Sequence, residues 1–473
     1  MLPSLRRFFA LPPPQLLFFA ALAWHVAWAG TVAAPSDWDP AYALAVARHL
    51  VHGDGAVTGA VWNLGWLPPA LVHPADLHWM PLPSRILVPF LAVAPAAMAW
   101  PAAQLCSVLV AATWAPLAWV WARRLGASPV AAWCAGFVAA TGGGYVRIVT
   151  TPDSIGLYGA LGAAALLAAS ERLAITSGLV ALAALTRGDG FLLGLACALA
   201  WPDRGGLRVA LAGVGATAAW SLRSWLLAGQ GFLAMRARVF ESMKLADLLT
   251  VTAPTPPTWL DRGAFTLAQA PTILAVALVV SGGLLVWPAL LALWRRRSDR
   301  GLWPIPAYAL GFPPVIHLLA PAIAAEGSVF RSGAAVFVPL AALAVVGAES
   351  LTRRYHPAFL PILLVVSTVA SAGLSGRAYT HVLTQLGADC EALAAVPSDI
   401  PVLSYDPIGV EARCGHPGVI MGRGAPLEPL VEAYGLEWAL VAPPDYDNGT
   451  VRAVDWTLPG WEQLGPRLWH KRP

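Results

Sequence analysis

The sequence predicts an all-α polytopic membrane bundle of about eleven transmembrane helices, carrying a small C-terminal α/β domain. Three observations lead there. Of the 473 residues 58% are hydrophobic and 12% charged, with a mean hydropathy of +0.63, whereas a soluble domain carries about 25% charged residues. Apolar stretches long enough to cross about 30 Å of hydrocarbon recur from one end to the other. Arginines, finally, collect in the junctions between those stretches, as in cytoplasmic loops. The net charge of +4 therefore belongs to the loops and points to no nucleic-acid partner.

The elements follow in order. The run from 15 to 33, behind Arg6 and Arg7, is long for a signal h-region and is read as a retained first helix with its N-terminus inside. Arg123 and Arg124 form the next inside cluster, which allows one crossing, at 101–122, and leaves 34–100 as an outer loop. Within it, 84–100 is broken by Pro89 and Pro95 and reads as a helix lying along the surface. Further crossings are expected at 129–144, 154–170, 173–186, 190–201, 207–228, 271–294, 302–324, 332–349 and 357–374. "PDRGG", "RRRSDR" and "ESLTRRYHP" then all fall inside, and 375–473 falls outside. The pair 173–186 and 190–201 is too short to span, at 1.5 Å per residue, and flanks "RGDG", Arg187 to Gly190. A re-entrant hairpin with a buried tip is expected there. This divides the chain into a membrane module, 1–374, and a tail, 375–473.

The tail alternates strand and helix patterns. "PVLSY", "GVIMG" and "EWALVAPP" read as strands, and "DPIGVEARCG" and "APLEPLVEAYGL" as helices, which predicts a partly parallel sheet. Cys106, Cys134 and Cys197 lie in apolar segments, whereas Cys390 and Cys414 lie in the tail and become a disulfide pair if it faces an oxidising compartment. Lys244 and Lys471 are the only lysines, a bias that a GC-rich bacterial genome would produce.

Acids mark the candidate site. In "SDWDPAYALAVARHL", Asp39 before Pro40 reads as a helix N-cap, while Asp37 is either an exposed loop acid or a functional one. Asp153 in "TTPDS", at the second outer turn, sits where the fourth span begins, either as a helix-terminus acid or as a partner of the first-loop pair. Carboxylates from two loops suit a shared Mg, Mn or Ca ion, or a general base, and the sequence leaves both open. "HPADLHWMPLPSR" holds His73, Asp76 and His78 beside Trp79, either interface anchors or ligands. Arg187 and Asp189 at the hairpin tip either neutralise each other or act as intramembrane functional groups. Arg331 in "EGSVFRSG" is a lone cation at a helix boundary, suited to a headgroup or to a donor phosphate.

With these pieces in place, the chain resembles GT-C membrane glycosyltransferases, among them bacterial mannosyl- and arabinofuranosyltransferases and protein O-mannosyltransferase-like enzymes. "SDWDPAYALAVARHLVHGDG" is similar to their first outer loop, "HWMPLPSRIL" to its Pro-Leu element and "TTPDS" to their second-loop acid. "LVALAALTRGDGFLL" is similar to their short helix pair with a basic turn, and "VFRSGAAVFVPLAALAV" to their late Arg-containing helix. The family carries adjacent acids, or one acid at a fixed step, where Trp38 here separates Asp37 from Asp39. The resemblance implies inverting transfer of a sugar from a polyprenyl-phosphate donor to a hydroxyl of a glycan, lipid or protein, on the outer face of a bacterial cytoplasmic membrane. It implies Asp37 and Asp39 as base or metal ligands with Asp153, Arg187 and Arg331 at the donor phosphate, and Tyr42, His78 and Asp189 near the substrate. Two rivals stand beside it: a transporter or flippase, which favours mid-membrane charges and repeats, and an inactive scaffold of the same fold.

Overall fold

The computed structural model describes residues 13–35, 37–62, 67–231, 286–319, 329–354, 387–421, 427–442 and 458–472. Helix α1 (Pro13–Ala29) is followed by α2 (Trp38–His52), which ends on Gly53 at φ 89°. The short strands β1 (Val57–Thr58), β2 (Ala60–Val61) and β3 (His73–Pro74) lead to α3 (Leu82–Val93), which contains Pro89 and stops at Ala94, before Pro95. Then come α4 (Ala99–Ala112), α5 (Trp114–Arg124), α6 (Pro129–Thr141) and α7 (Ser154–Ala168). The predicted hairpin is α8 (Leu173–Thr186) and α9 (Gly190–Ala198), followed by α10 (Arg204–Ala228), α11 (Val286–Arg295), α12 (Pro304–Leu319) and α13 (Val329–Arg354). Two helical stretches among the described residues, Ala96–Arg124 and Phe330–Arg353, are long and apolar enough to cross a membrane. The expected crossing at 357–374, and 271–285 of another, lie outside the described residues.

Small residues let the bundle close. Along α7, Gly159 and Gly162 stand where a Cβ would come within 2.2 Å of the Trp114 ring and 2.6 Å of the Ala335 Cβ. Close approach of this kind is how helices associate where lipid removes the hydrophobic drive between them. Trp114 and Trp121 donate their indole N–H to the Gly156 and Ala163 carbonyls at 3.1 Å, fastening α5 to the same helix. Gly190 closes the α8–α9 turn, because a Cβ there would lie 2.6 Å from backbone atoms of Ala183 and Ala184.

The tail folds much as its pattern predicts. Helix α14 (Gly387–Ala392) precedes β4 (Val402–Ser404), α15 (Pro407–Cys414), β5 (Gly418–Ile420), α16 (Glu428–Tyr434) and β6 (Trp438–Leu440). The hairpin β7 (Trp461–Gln463) and β8 (Leu468–Lys471) completes the sheet on one side. The strand order is β2-β5-β4-β6-β8-β7, parallel from β2 through β6 and antiparallel beyond. Its far edge is β2, which comes from the loop after α2, so the sheet is not built from the tail alone. Helix α15 packs on α2, joined by Ile408 and Ala412 to Tyr42, Ala45 and Val46 in one cluster. Cys390 and Cys414 form a disulfide between α14 and the end of α15.

Candidate active site

The start of α2 differs from the expectation that Asp39 caps it. The N-cap is Asp37, in extended backbone at φ −135°, whose Oδ1 accepts from the Trp38 N–H at 2.7 Å. Helix α2 begins two residues before Pro40, which is tolerated at the third position because the first four N–H groups of a helix have no partner within it. Asp39 is thereby displaced into the first turn and released from capping. Its Oδ1 accepts from the Trp79 indole at 2.8 Å.

Asp153 does cap its helix, accepting from the Ile155 N–H at 2.9 Å through Oδ1, and it is buried. Across from it, α13 begins with Phe330, Arg331 and Ser332. The Tyr145 hydroxyl donates to the Phe330 carbonyl at 2.6 Å and anchors this turn. The close α7–α13 contact at Gly162 and Ala335 brings the N-terminal ends of these two helices together. Arg331 then reaches all three acids. Its Nη1 donates to Asp39 and its Nη2 to Asp37, and Nη2 stands 3.8 Å from the Asp153 Oδ2. Burial pushes the Asp153 carboxyl up to about 7, and the Asp37 carboxylate adds in the same direction.

The hairpin tip lies against this cluster. Arg187 donates through Nε to Asp189 at 3.1 Å and through Nη1 to the Ser154 hydroxyl at 3.1 Å. Ser154 in turn donates to Asp153 at 3.3 Å, and Ser332 donates to Asp189. Arg187 and Asp189 therefore neutralise each other while linking α7, the hairpin and α13.

Tyr42 and His78 stand one layer behind. The Tyr42 ring stacks on Trp79 at 4.1 Å, and its hydroxyl accepts from the Asp76 N–H. His78 packs edge-on against Trp62 and Trp79 at 4.6 and 4.9 Å. Asp76 is ion-paired with Arg85, and the His73 Nδ1 is 2.8 Å from the Leu71 carbonyl, so the "HPADLH" segment is held by internal contacts. Sequence reasoning missed Trp79 as the holder of Asp39, and Ser154 and Ser332 as links. An aromatic residue forty positions from its partner, and two serines, carry no local signal.

The three carboxylates offer the oxygen chemistry of a Mg, Mn or Ca site, and the resemblance implies one. Their arrangement does not fit it. Each first-loop acid gives one oxygen to Arg331 and the other to a neighbouring N–H. Among the described residues no group of three or more His, Cys, Asp and Glu is disposed to hold a metal ion.

No protein-family model matches the sequence, and no curated protein does. The structure is similar to that of the Archaeoglobus fulgidus oligosaccharyltransferase in its apo form, with a TM-score of 0.55 over 91% of this chain and 70% of that one, at 12% identity. The likeness shows that the chain shares the fold of that oligosaccharyltransferase.

Proposed function

We propose that this protein is an integral membrane glycosyltransferase that moves a sugar from a polyprenyl-phosphate-linked donor to an acceptor hydroxyl, with inversion at the sugar carbon. The observation that carries this reading is the meeting of Asp37, Asp39 and Asp153, from two separate loops, at the guanidinium of Arg331. In the proposed reaction the acceptor oxygen attacks the anomeric carbon from the face opposite the phosphate. The phosphate leaves with the bonding electron pair, and the acceptor proton passes to a first-loop carboxylate. Asp37 is the more open of the two, at 31% side-chain exposure against 18% for Asp39, and is the better placed to meet an acceptor. Arg331 has five N–H groups and gives two to the acids, so others remain for the donor phosphate. Arg187, held by Asp189 and Ser154, supports that end of the site from behind. A bacterial cytoplasmic membrane, with the N-terminus inside and the tail outside, accords with the arginine placement and with the tail disulfide.

The test is transfer from a labelled lipid-linked sugar by the purified protein. Asp37→Asn and Asp39→Asn keep the size of each side chain, and Asn caps a helix as well as Asp, so a loss of activity reports the charge. The double variant is expected to lose transfer by at least about a hundredfold, the typical worth of a positioned general base. Undiminished transfer would refute the assignment. The transporter reading is less well supported, since the hairpin charges that favour it are already paired with each other.

A further inference from the structure

We infer that Arg331 takes the place of a divalent cation among Asp37, Asp39 and Asp153, so that the site carries its own cation and binds no metal ion there while the arginine is present. The evidence is geometric, and only its consequence for catalysis rests on the glycosyl-transfer reading. A divalent ion needs carboxylate oxygens at about 2.0–2.6 Å. Asp37 has one oxygen on the Trp38 N–H and the other on the Arg331 Nη2. Asp39 has one on the Trp79 indole and the other on the Arg331 Nη1. The Asp153 Oδ1 is held by Ile155 and Ser154, and its Oδ2 accepts no hydrogen bond but faces the same guanidinium. A metal ion reaches this set only by expelling the arginine.

Expulsion is opposed by where Arg331 is rooted. It lies in the first turn of α13, pinned by the Tyr145–Phe330 hydrogen bond and by Ser332 on Asp189. Arg187, which also faces Asp153, is already paired with Asp189 at 3.1 Å. Like a metal, the guanidinium bridges carboxylates and has donors left for a phosphate oxygen. Unlike a metal, it is covalently held and resists chelation. Removing it leaves three carboxylates converging without the cation that bridges them, which creates a cation site rather than destroying one.

The experiment is Mn2+ binding to the purified full-length protein, followed by electron paramagnetic resonance with and without a chelator. The wild type is expected to show no saturable site tighter than about 10⁻⁴ M, the weak end of carboxylate sites. Arg331→Ala is expected to gain one site at least tenfold tighter, and Asp37→Asn in the Arg331→Ala background to lose it. Arg331→Lys keeps a positive charge and should stay without a site. A wild-type site that Asp37→Asn or Asp153→Asn abolishes overturns the inference, and that measurement needs no folded alanine variant. Wild-type transfer that stops in chelator and returns with Mn2+ overturns it as well. Absence of transfer under every condition counts against the glycosyl-transfer reading alone and leaves the binding result standing.

Discussion

The junction between α2 and the tail helix α15 is held by a titratable clasp, and its strength should depend on pH. Glu411, buried on α15, accepts from the Thr58 hydroxyl at 2.8 Å and from the Gly59 N–H. The His49 ring lies between two acids, with Nε2 3.2 Å from Glu411 and Nδ1 3.0 Å from Asp54. Arg48, beside it, donates to the Ala412 carbonyl at 2.6 Å. The hydrogen bond to Glu411 is the main reason that His49 is raised from 6.5 to about 8, with desolvation opposing it and Asp54 adding to the rise. A histidine raised on folding stabilises fully below its unfolded value and loses that contribution as pH rises through its folded one. The window is therefore about pH 6.5 to 8. The rise corresponds to about 2 kcal/mol, and since the ring is 27% exposed, screening reduces it to about 1 kcal/mol. Hydrogen exchange of Pro407–Cys414, corrected for the intrinsic rate, reads this as about a fivefold loss of protection between pH 6 and pH 9. His49→Gln should remove most of the pH dependence. Equal protection at both pH values, or an unchanged slope in His49→Gln, would refute the reasoning.

Two further substitutions probe packing and the site. Gly162→Ala places a Cβ 2.6 Å from that of Ala335 and 2.7 Å from its Cα, so α7 and α13 must separate. The expected cost is about 1–3 kcal/mol, seen as a lower thermal midpoint in detergent, and because these helices carry Asp153 and Arg331, transfer should fall with it. Trp79→Phe keeps an aromatic ring against Tyr42 but removes the N–H that Asp39 accepts. Loss of about 1 kcal/mol of positioning predicts a several-fold fall in kcat/KM with little change in thermal midpoint, and a fall in both together would mark Trp79 as structural.

Much of this was legible in the sequence because it rests on local rules. Strand and helix patterns in the tail locate β4, α15, β5, α16 and β6, each inside its predicted stretch and shorter than it, and the break at "RGDG" follows from spans too short to cross a bilayer. Asp37, Asp39, Asp153 and Arg331 each stand out in the sequence as acids or cations near helix ends. The α2 cap lies two residues before the position the sequence suggests, because Pro, common at the first helical position, is also tolerated later in the first turn. The β7–β8 hairpin carries too few alternating residues to stand out.

By itself the sequence determined the apolar bundle, the order of its elements and the residue types of the site, since these follow from composition, periodicity and turn chemistry. Only the tertiary structure decided how those residues are joined. Arg331 meets three carboxylates because Gly159 and Gly162 let α7 approach its neighbours, Trp114 and α13. The tail joins the bundle because β2, of two residues, completes its sheet and Glu411 reaches back to the turn between β1 and β2. Each is a contact between segments distant in the sequence, fixed by close packing and charge complementarity, which no local pattern encodes.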